Sequence, residues 1–275
     1  MRSDAIRLKD IDPIHALMPY FYKRRCDSTV LITLNIPFDP IHAYTRKKRT
    51  EGQPISHLTV ILAAAVRTIG EYPQFNRFII NKKFYQHKDF TIAMEVLPPG
   101  AEDGVMSKFA LDFGDTIWDV HTKLEAYIKV NRAEGQSNDT QTITRRFLSI
   151  PGLAFWGAKL AMLLDNFGLL PKAIIDASPF HSSIFISNLA SLNTPNVFHH
   201  LFEVGTASVF ITIGSEQYPL MRSKDGPSAT HCIPLSFTID ERITSGAYFS
   251  KCFARFRYYL NNPVELEQPP AKKSD

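Results

Sequence analysis

Two hydrophobic periods run through this chain, and the clearest change from one to the other lies near its end. Ile233, Leu235, Phe237 and Ile239 alternate with Pro234, Ser236 and Thr238, the period-2 pattern of a strand with one buried face. Asp240 to Gly246 is a polar break, with Gly246 available for tight backbone geometry. From Ala247 the period lengthens. Phe249, Cys252, Phe253, Phe256 and Leu260 recur at three- and four-residue steps until Pro263 stops the helix. Strand, short polar turn and amphipathic helix make a rigid mount for one reactive group.

The same two periods organise the rest. Ile14 to Tyr22 reads as a short helix, and Val30, Ile32, Leu34 and Ile36 alternate with Leu31, Thr33 and Asn35 as a strand. Asp39 or Pro40 starts a helix that Gly52 closes, and Ser56 caps one with Leu58, Ile61, Leu62, Ala65, Val66 and Ile69 on a single face. Asn76 to Phe84 reads as a hairpin arm, while Phe90 to Val96 and Val105 to Leu111 are strands on either side of a turn. Asp115 or Thr116 caps a helix carrying Ile117, Val120, Leu124, Tyr127 and Ile128. Glu134 to Thr144 is a polar loop before an apolar helical segment ending at Leu170. Ile184 to Ser187 and Ser208 to Ile213 are strands around a polar loop, Asn188 to Asn196, and Arg222 to Ser228 is a charged turn. Residues 265–275 read as a disordered tail, leaving 1–264 as one domain. Mixed strands and helices in this order predict an α/β (α+β) fold.

Composition narrows the function classes. With 275 residues, 44% of them hydrophobic, the chain can bury a large core. Its 31 basic and 27 acidic residues leave +4, too mild a charge for a nucleic-acid binder. The one tight basic run, Arg46 to Arg49, reads as a solvated helix end. Three scattered cysteines, with no Cys-x-x-Cys pair, point to a reducing cytoplasmic setting and no metal centre. Phe147 to Leu170 is the most apolar stretch, but Pro151, Lys159 and Asp165 interrupt it. A membrane span needs about 20 apolar residues, so this segment reads as a buried or interface helix.

Asp240-Glu-Arg-Ile-Thr-Ser-Gly-Ala247 resembles the Asp-His-Arg-Val-x-Asp-Gly-Ala signature of 2-oxoacid dehydrogenase acyltransferase catalytic domains. Chloramphenicol acetyltransferases, members of the same superfamily, carry His-His-x-x-x-Asp-Gly there. Ile69 to Asn76 resembles the family's helix end followed by Pro-x-Leu-Asn. Phe185 to Leu192 resembles Thr-Ile-Ser-Asn-Leu-Gly, and Ser208 to Gly214 the apolar strand after it. The resemblance covers most of the chain. It implies a chloramphenicol acetyltransferase-like fold, a large mixed sheet flanked by helices. It also implies a homotrimer whose active sites lie at subunit interfaces, in a channel that admits coenzyme A from one side and the acceptor from the other.

In that family the histidine is the general base, the aspartate four residues later is structural, and a serine donates a hydrogen bond to the oxyanion. By position these are Glu241, Ser245 and Ser187. A carboxylate's ordinary pKa of about 4.3 lies roughly two units below that of imidazole. Glu241 is therefore the weaker base unless burial raises it, and pairing with Arg242 would disable it. His181, His199 and His200 are the alternative bases, and His231 has no assigned role. Arg24 and Arg25 lie where the family places an arginine that supports the active-site loop, and they read either as a solvated helix end or as partners for Asp240 or Glu241. Two functions follow from the resemblance. One is a coenzyme A-dependent acyltransferase acting on a thiol or hydroxyl acceptor; the other is a catalytically inactive trimeric binding or regulatory protein. The core of a 2-oxoacid dehydrogenase complex is not expected, because lipoyl and subunit-binding modules have no room upstream.

Overall fold

A six-stranded mixed sheet carries the fold. The computed structural model describes residues 2–133, 149, 152–223 and 226–270. The chain opens with β1 (Ala5–Arg7) and α1 (Pro13–Phe21), and then β2 (Thr29–Pro37) leads into α2 (Phe38–Thr50) and α3 (His57–Glu71). A hairpin, β3 (Arg77–Ile80) and β4 (Lys83–His87), precedes a second, β5 (Phe90–Val96) and β6 (Val105–Leu111). Helices α4 (Ile117–Arg132), α5 (Leu153–Asn166) and α6 (Lys172–Ala177) follow, and then β7 (Ile184–Asn188) and β8 (Val209–Ile213). A ribbon of β9 (Leu220–Ser223) and β10 (Gly226–Ala229) leads to β11 (Cys232–Asp240) and α7 (Gly246–Asn261). Among the described residues no helix is long and apolar enough to cross a membrane.

The main sheet has the order β2-β11-β8-β7-β5-β6, parallel at β8-β7-β5 and antiparallel elsewhere. Its alternation divides the residues as the pleat requires. Ile233, Leu235, Phe237 and Ile239 of β11 join Ile184 and Ile186 of β7 in the main core, beneath α2, α3, α4 and α7. Phe237 meets the rings of Phe253 and Phe256 on α7, and Arg255 of α7 bonds Glu71 of α3 at 2.6 Å. On the other face Ala93, Phe185 and Phe210 form a satellite core with Leu201 and Ala207. All nine residues of β11 are buried, so its polar positions are covered too.

Local chemistry explains the helix starts. Asp12 accepts from the amides of Ile14 and His15 to begin α1 with Pro13 at its first position. Ser56 caps α3, and Thr116 and Asp119 form a capping box on α4.

The structure revises several readings. β1 is only three residues long, too short to carry a pattern, and exists by pairing with β4. α6, a helix of only six residues, falls between the predicted elements. Arg222 to Ser228 is largely ribbon rather than turn. Residues 265–268 are packed instead of forming tail: Leu266 is 1% exposed, Glu267 pairs with Lys48 at 2.9 Å, and the Gln268 carbonyl accepts from Arg67. That pairing also draws Lys48 out of the solvated face expected of the basic run, over the ring of Trp118. The predicted loop Glu134 to Thr144, and most of 147–151, lie outside the described residues.

His87 ends β4 with its ring 4.5 Å from Phe78, and its buried Nε2 has no hydrogen-bond partner. Burial lowers its pKa to about 3, against the pull of the Asp4 carboxylate. The folded chain therefore holds a neutral imidazole while the unfolded one protonates near the ordinary value of about 6.5. This contribution is complete above the unfolded value and is lost as pH falls toward the folded one. His87→Leu is expected to flatten the fall in unfolding midpoint between pH 7 and 4. Parallel curves for the two proteins would contradict the assignment.

Candidate active site

The turn after β11 is built around a buried ion pair. Asp240, 0% exposed, accepts from Arg242 Nε at 2.8 Å and Nη2 at 2.7 Å, a fork on both carboxylate oxygens. Its Oδ1 also accepts from Ser28 Oγ at 2.9 Å and from the Arg242 amide at 3.2 Å. Arg242 Nη1 spans to the carbonyl of Tyr22 at 2.8 Å. The end of β11 is thereby fastened to the end of α1 and the start of β2.

Glu241 sits between the pair. Arg242 points in, Ile243 is fully buried in the main core, and Glu241 is left half-exposed. Its carboxylate makes no hydrogen bond or ion pair among the described residues. The feared pairing with Arg242 is thus absent, because Asp240 occupies that guanidinium. Ser245 caps α7, its hydroxyl accepting from the Tyr248 amide at 3.3 Å. Gly246 has an ordinary φ and open space where a Cβ would lie, so the tight geometry expected there is not used.

Ser187 lies on the opposite side of the sheet from the main core. The register sets Ser187 beside Thr212, Thr212 beside Ser236, and Ser236 beside Thr33. Four hydroxyl residues therefore cross four neighbouring strands on one face. The Asn188–Asn196 loop folds over this row, where Asn196 Nδ2 donates to Ser236 Oγ at 2.6 Å. Gly214 permits that approach, since a Cβ there would lie 2.3 Å from the Asn196 nitrogen. The Ser187 hydroxyl has no partner among the described residues; Ser191 makes the local loop bond, to the Asn188 carbonyl at 2.7 Å.

One chain does not bring Ser187 and Glu241 together. Glu241 lies five residues beyond Ser236 and two strands from Ser187. At about 3.3 Å per residue and about 4.8 Å per strand, the separation is roughly 19 Å.

The other candidates have partners of their own. Arg24 pairs with Asp27 at the surface, 3.0 Å apart. Arg25 is buried and donates to the carbonyls of Phe202 and Gly205, so it is neither solvated nor bonded to Asp240 or Glu241. His181 Nδ1 bonds Ser178 Oγ at 2.9 Å, and its Nε2 lies 3.3 Å from Asp165. His199 stacks on Phe210, and His200 meets the edge of Phe202. His231 bonds Glu216 at 2.9 Å and stacks on Phe38 and Tyr218. None of these contacts reaches Glu241. Among the described residues no group of three His, Cys, Asp or Glu side chains could hold a metal ion.

Removing one partner of the buried pair leaves a charge with no answer. Arg242→Met is expected to cost about 3–5 kcal/mol, whereas Asp240→Leu/Arg242→Met removes both charges and should cost markedly less. Urea unfolding of the two variants measures this. A double variant as unstable as the single would contradict the compensation.

No protein-family model and no curated protein matches this chain. Solved structures do. A probable dihydrolipoamide acetyltransferase from Listeria monocytogenes 4b F2365 superposes with TM-score 0.58 at 11% identity, over 98% of each chain. Dihydrolipoamide acetyltransferase from Azotobacter vinelandii, investigated for the role of a serine, a histidine and an asparagine in its catalytic mechanism, gives TM-score 0.58 at 12% identity over 94% of each. A chloramphenicol acetyltransferase gives 0.56 at 11%, over 93% of this chain and 99% of the other. Similarity this distant in sequence and complete in length is similarity of architecture. The mixed six-stranded sheet with helices packed on its main core face is the chloramphenicol acetyltransferase-like fold.

Proposed function

We propose that this chain is a coenzyme A-dependent acyltransferase that works as a homotrimer, with each active site shared between two subunits. One observation carries the reading. Among the described residues Glu241 and Ser187 both present polar groups with no partner, while the charges on either side of Glu241, Asp240 and Arg242, answer each other. They stand roughly 19 Å apart in a single chain, too far to act on one carbonyl. A second copy is what joins them.

In this reading Glu241 of one subunit takes the proton from an acceptor thiol or hydroxyl. The acceptor attacks the thioester carbonyl of acyl-coenzyme A, and the Ser187 hydroxyl of the next subunit donates to the oxyanion. Collapse of the intermediate breaks the carbon–sulfur bond, and the departing thiolate recovers the proton from Glu241. A subunit packed over Glu241 also removes it from water, and desolvation is what makes a carboxylate a stronger base. The fold neighbours support acyl transfer as the reaction class, and the motif resemblance is what assigns the base and oxyanion roles to Glu241 and Ser187.

A second reading rests on Ser245 and Asp240. Ser245 is committed to capping α7, and Asp240 holds the turn through Arg242, so the loop keeps its shape with no demand on Glu241. A trimer that binds an acyl-coenzyme A without turning it over would use the same frame.

Incubation with acetyl-coenzyme A and a panel of thiols and alcohols, following free thiol release, separates the two. Turnover is expected, falling about 100-fold in Glu241→Gln and at least about tenfold in Ser187→Ala. Calorimetric binding with no turnover would establish the second reading, and absence of both would end each of them.

A further inference from the structure

A cavity of about 700 Å³ lies between α5, the β3–β4 turn, the end of α1 and the 203–205 loop. That volume is typical of small-molecule sites. Ile79 and Ile80 line it, with Ala161 and Met162 of α5 and Leu170 and Ile174 beyond, so much of the wall is aliphatic. Neither Ser187 nor Glu241 lines it.

The charged groups in that wall are out of balance. Lys23, Arg25, Lys82 and Arg242 face two carboxylates, Asp165 and Glu203. Both carboxylates are already answered. Asp165 holds Arg2 at 2.7 Å, and Glu203 accepts from the backbone amides of Arg25 and Cys26. Asp240, behind the wall, is taken by Arg242 and Ser28.

Arg25 is left over. It is 3% exposed, and its two terminal nitrogens donate only to the neutral carbonyls of Phe202 and Gly205. Its Nε has no partner among the described residues. Gly205 has φ +82°, and a Cβ there would run into the Phe180 carbonyl, so the loop that receives Arg25 is held in one shape. Burial lowers the Arg25 pKa, with Asp240 and Glu203 opposing from a distance. A guanidinium taken out of water without a hydrogen-bonded anion is costly, and an anion in the adjoining cavity removes that cost.

We propose that this cavity binds an amphiphile with one anionic head, which accepts from Arg25, and an aliphatic body, which lies along α5 and Ile79–Ile80. Lys23 and Lys82, exposed at the rim, add to the positive field that draws the head in. The site is separate from the acyl-transfer reading and stands or falls without it.

Calorimetry on the full chain with decanoate and with decanol, its neutral counterpart, tests the proposal. Decanoate is expected to bind at least about tenfold more tightly than decanol. Ala161→Trp, which fills the cavity from a half-buried helix position, should abolish decanoate binding. Arg25→Gln should reduce decanoate to the level of decanol. Should that buried variant fail to fold by circular dichroism, Lys23→Ala/Lys82→Ala tests the same field from the surface and should weaken decanoate several-fold while leaving decanol unchanged. Equal affinity for the two ligands, no binding of decanoate, or an Ala161→Trp variant that still binds would overturn it.

Discussion

The Asp240–Arg242 pair is the constraint on which this end of the molecule depends. Both groups are removed from water, which is costly, and the cost is met because nearly every polar atom finds a partner: two forked bonds, the Ser28 hydroxyl, the Tyr22 carbonyl. Those partners join two distant stretches of chain, 22–28 and 240–242. The pair therefore sets the angle at which β11 gives way to α7, and Ile243, buried in the core just after it, prevents the turn from rotating. Glu241 stands outward as a consequence of what its neighbours do, with no hydrogen bond or ion pair of its own among the described residues.

The sheet supplies the second half of the arrangement. Because β11 is buried on both faces, one alternating set feeds the main core while the other meets a polar layer. The row from Ser187 to Thr33 belongs to that layer, and the loop carrying Asn196 closes over it. A half-buried hydroxyl at one end of this row and a carboxylate beyond β11 are the two groups the proposed acyl transfer would use, set too far apart to cooperate within one chain. Separation of this kind is informative, since it turns a question about chemistry into one about assembly.

Much of this was legible in the sequence where the pattern was long or local. The alternation of Ile233 to Ile239 and the later three- and four-residue steps marked β11 and α7 because each element is long enough to show its period. Motif and position single out Glu241, Ser245 and Ser187 as candidates. Contacts between distant segments were not legible. Asp240 could have met Arg24, Arg25 or Arg242, and only the folded turn makes the residue two places on the best-aligned partner. Lys48 looked like part of a solvated basic face because Glu267, which draws it inward, lies at the far end of the chain. β1 is invisible at three residues, and Arg25 gives no sign in sequence that its charge is buried against carbonyls alone.

The proposed function rests on copies of the chain meeting so that Ser187 of one faces Glu241 of another. Light scattering on the purified protein, read across a dilution series, addresses this most directly. A particle of three times the 31.2 kDa of one chain, persisting on dilution, is the expected result. A stable single chain at every concentration would leave the two groups permanently apart, and would contradict it.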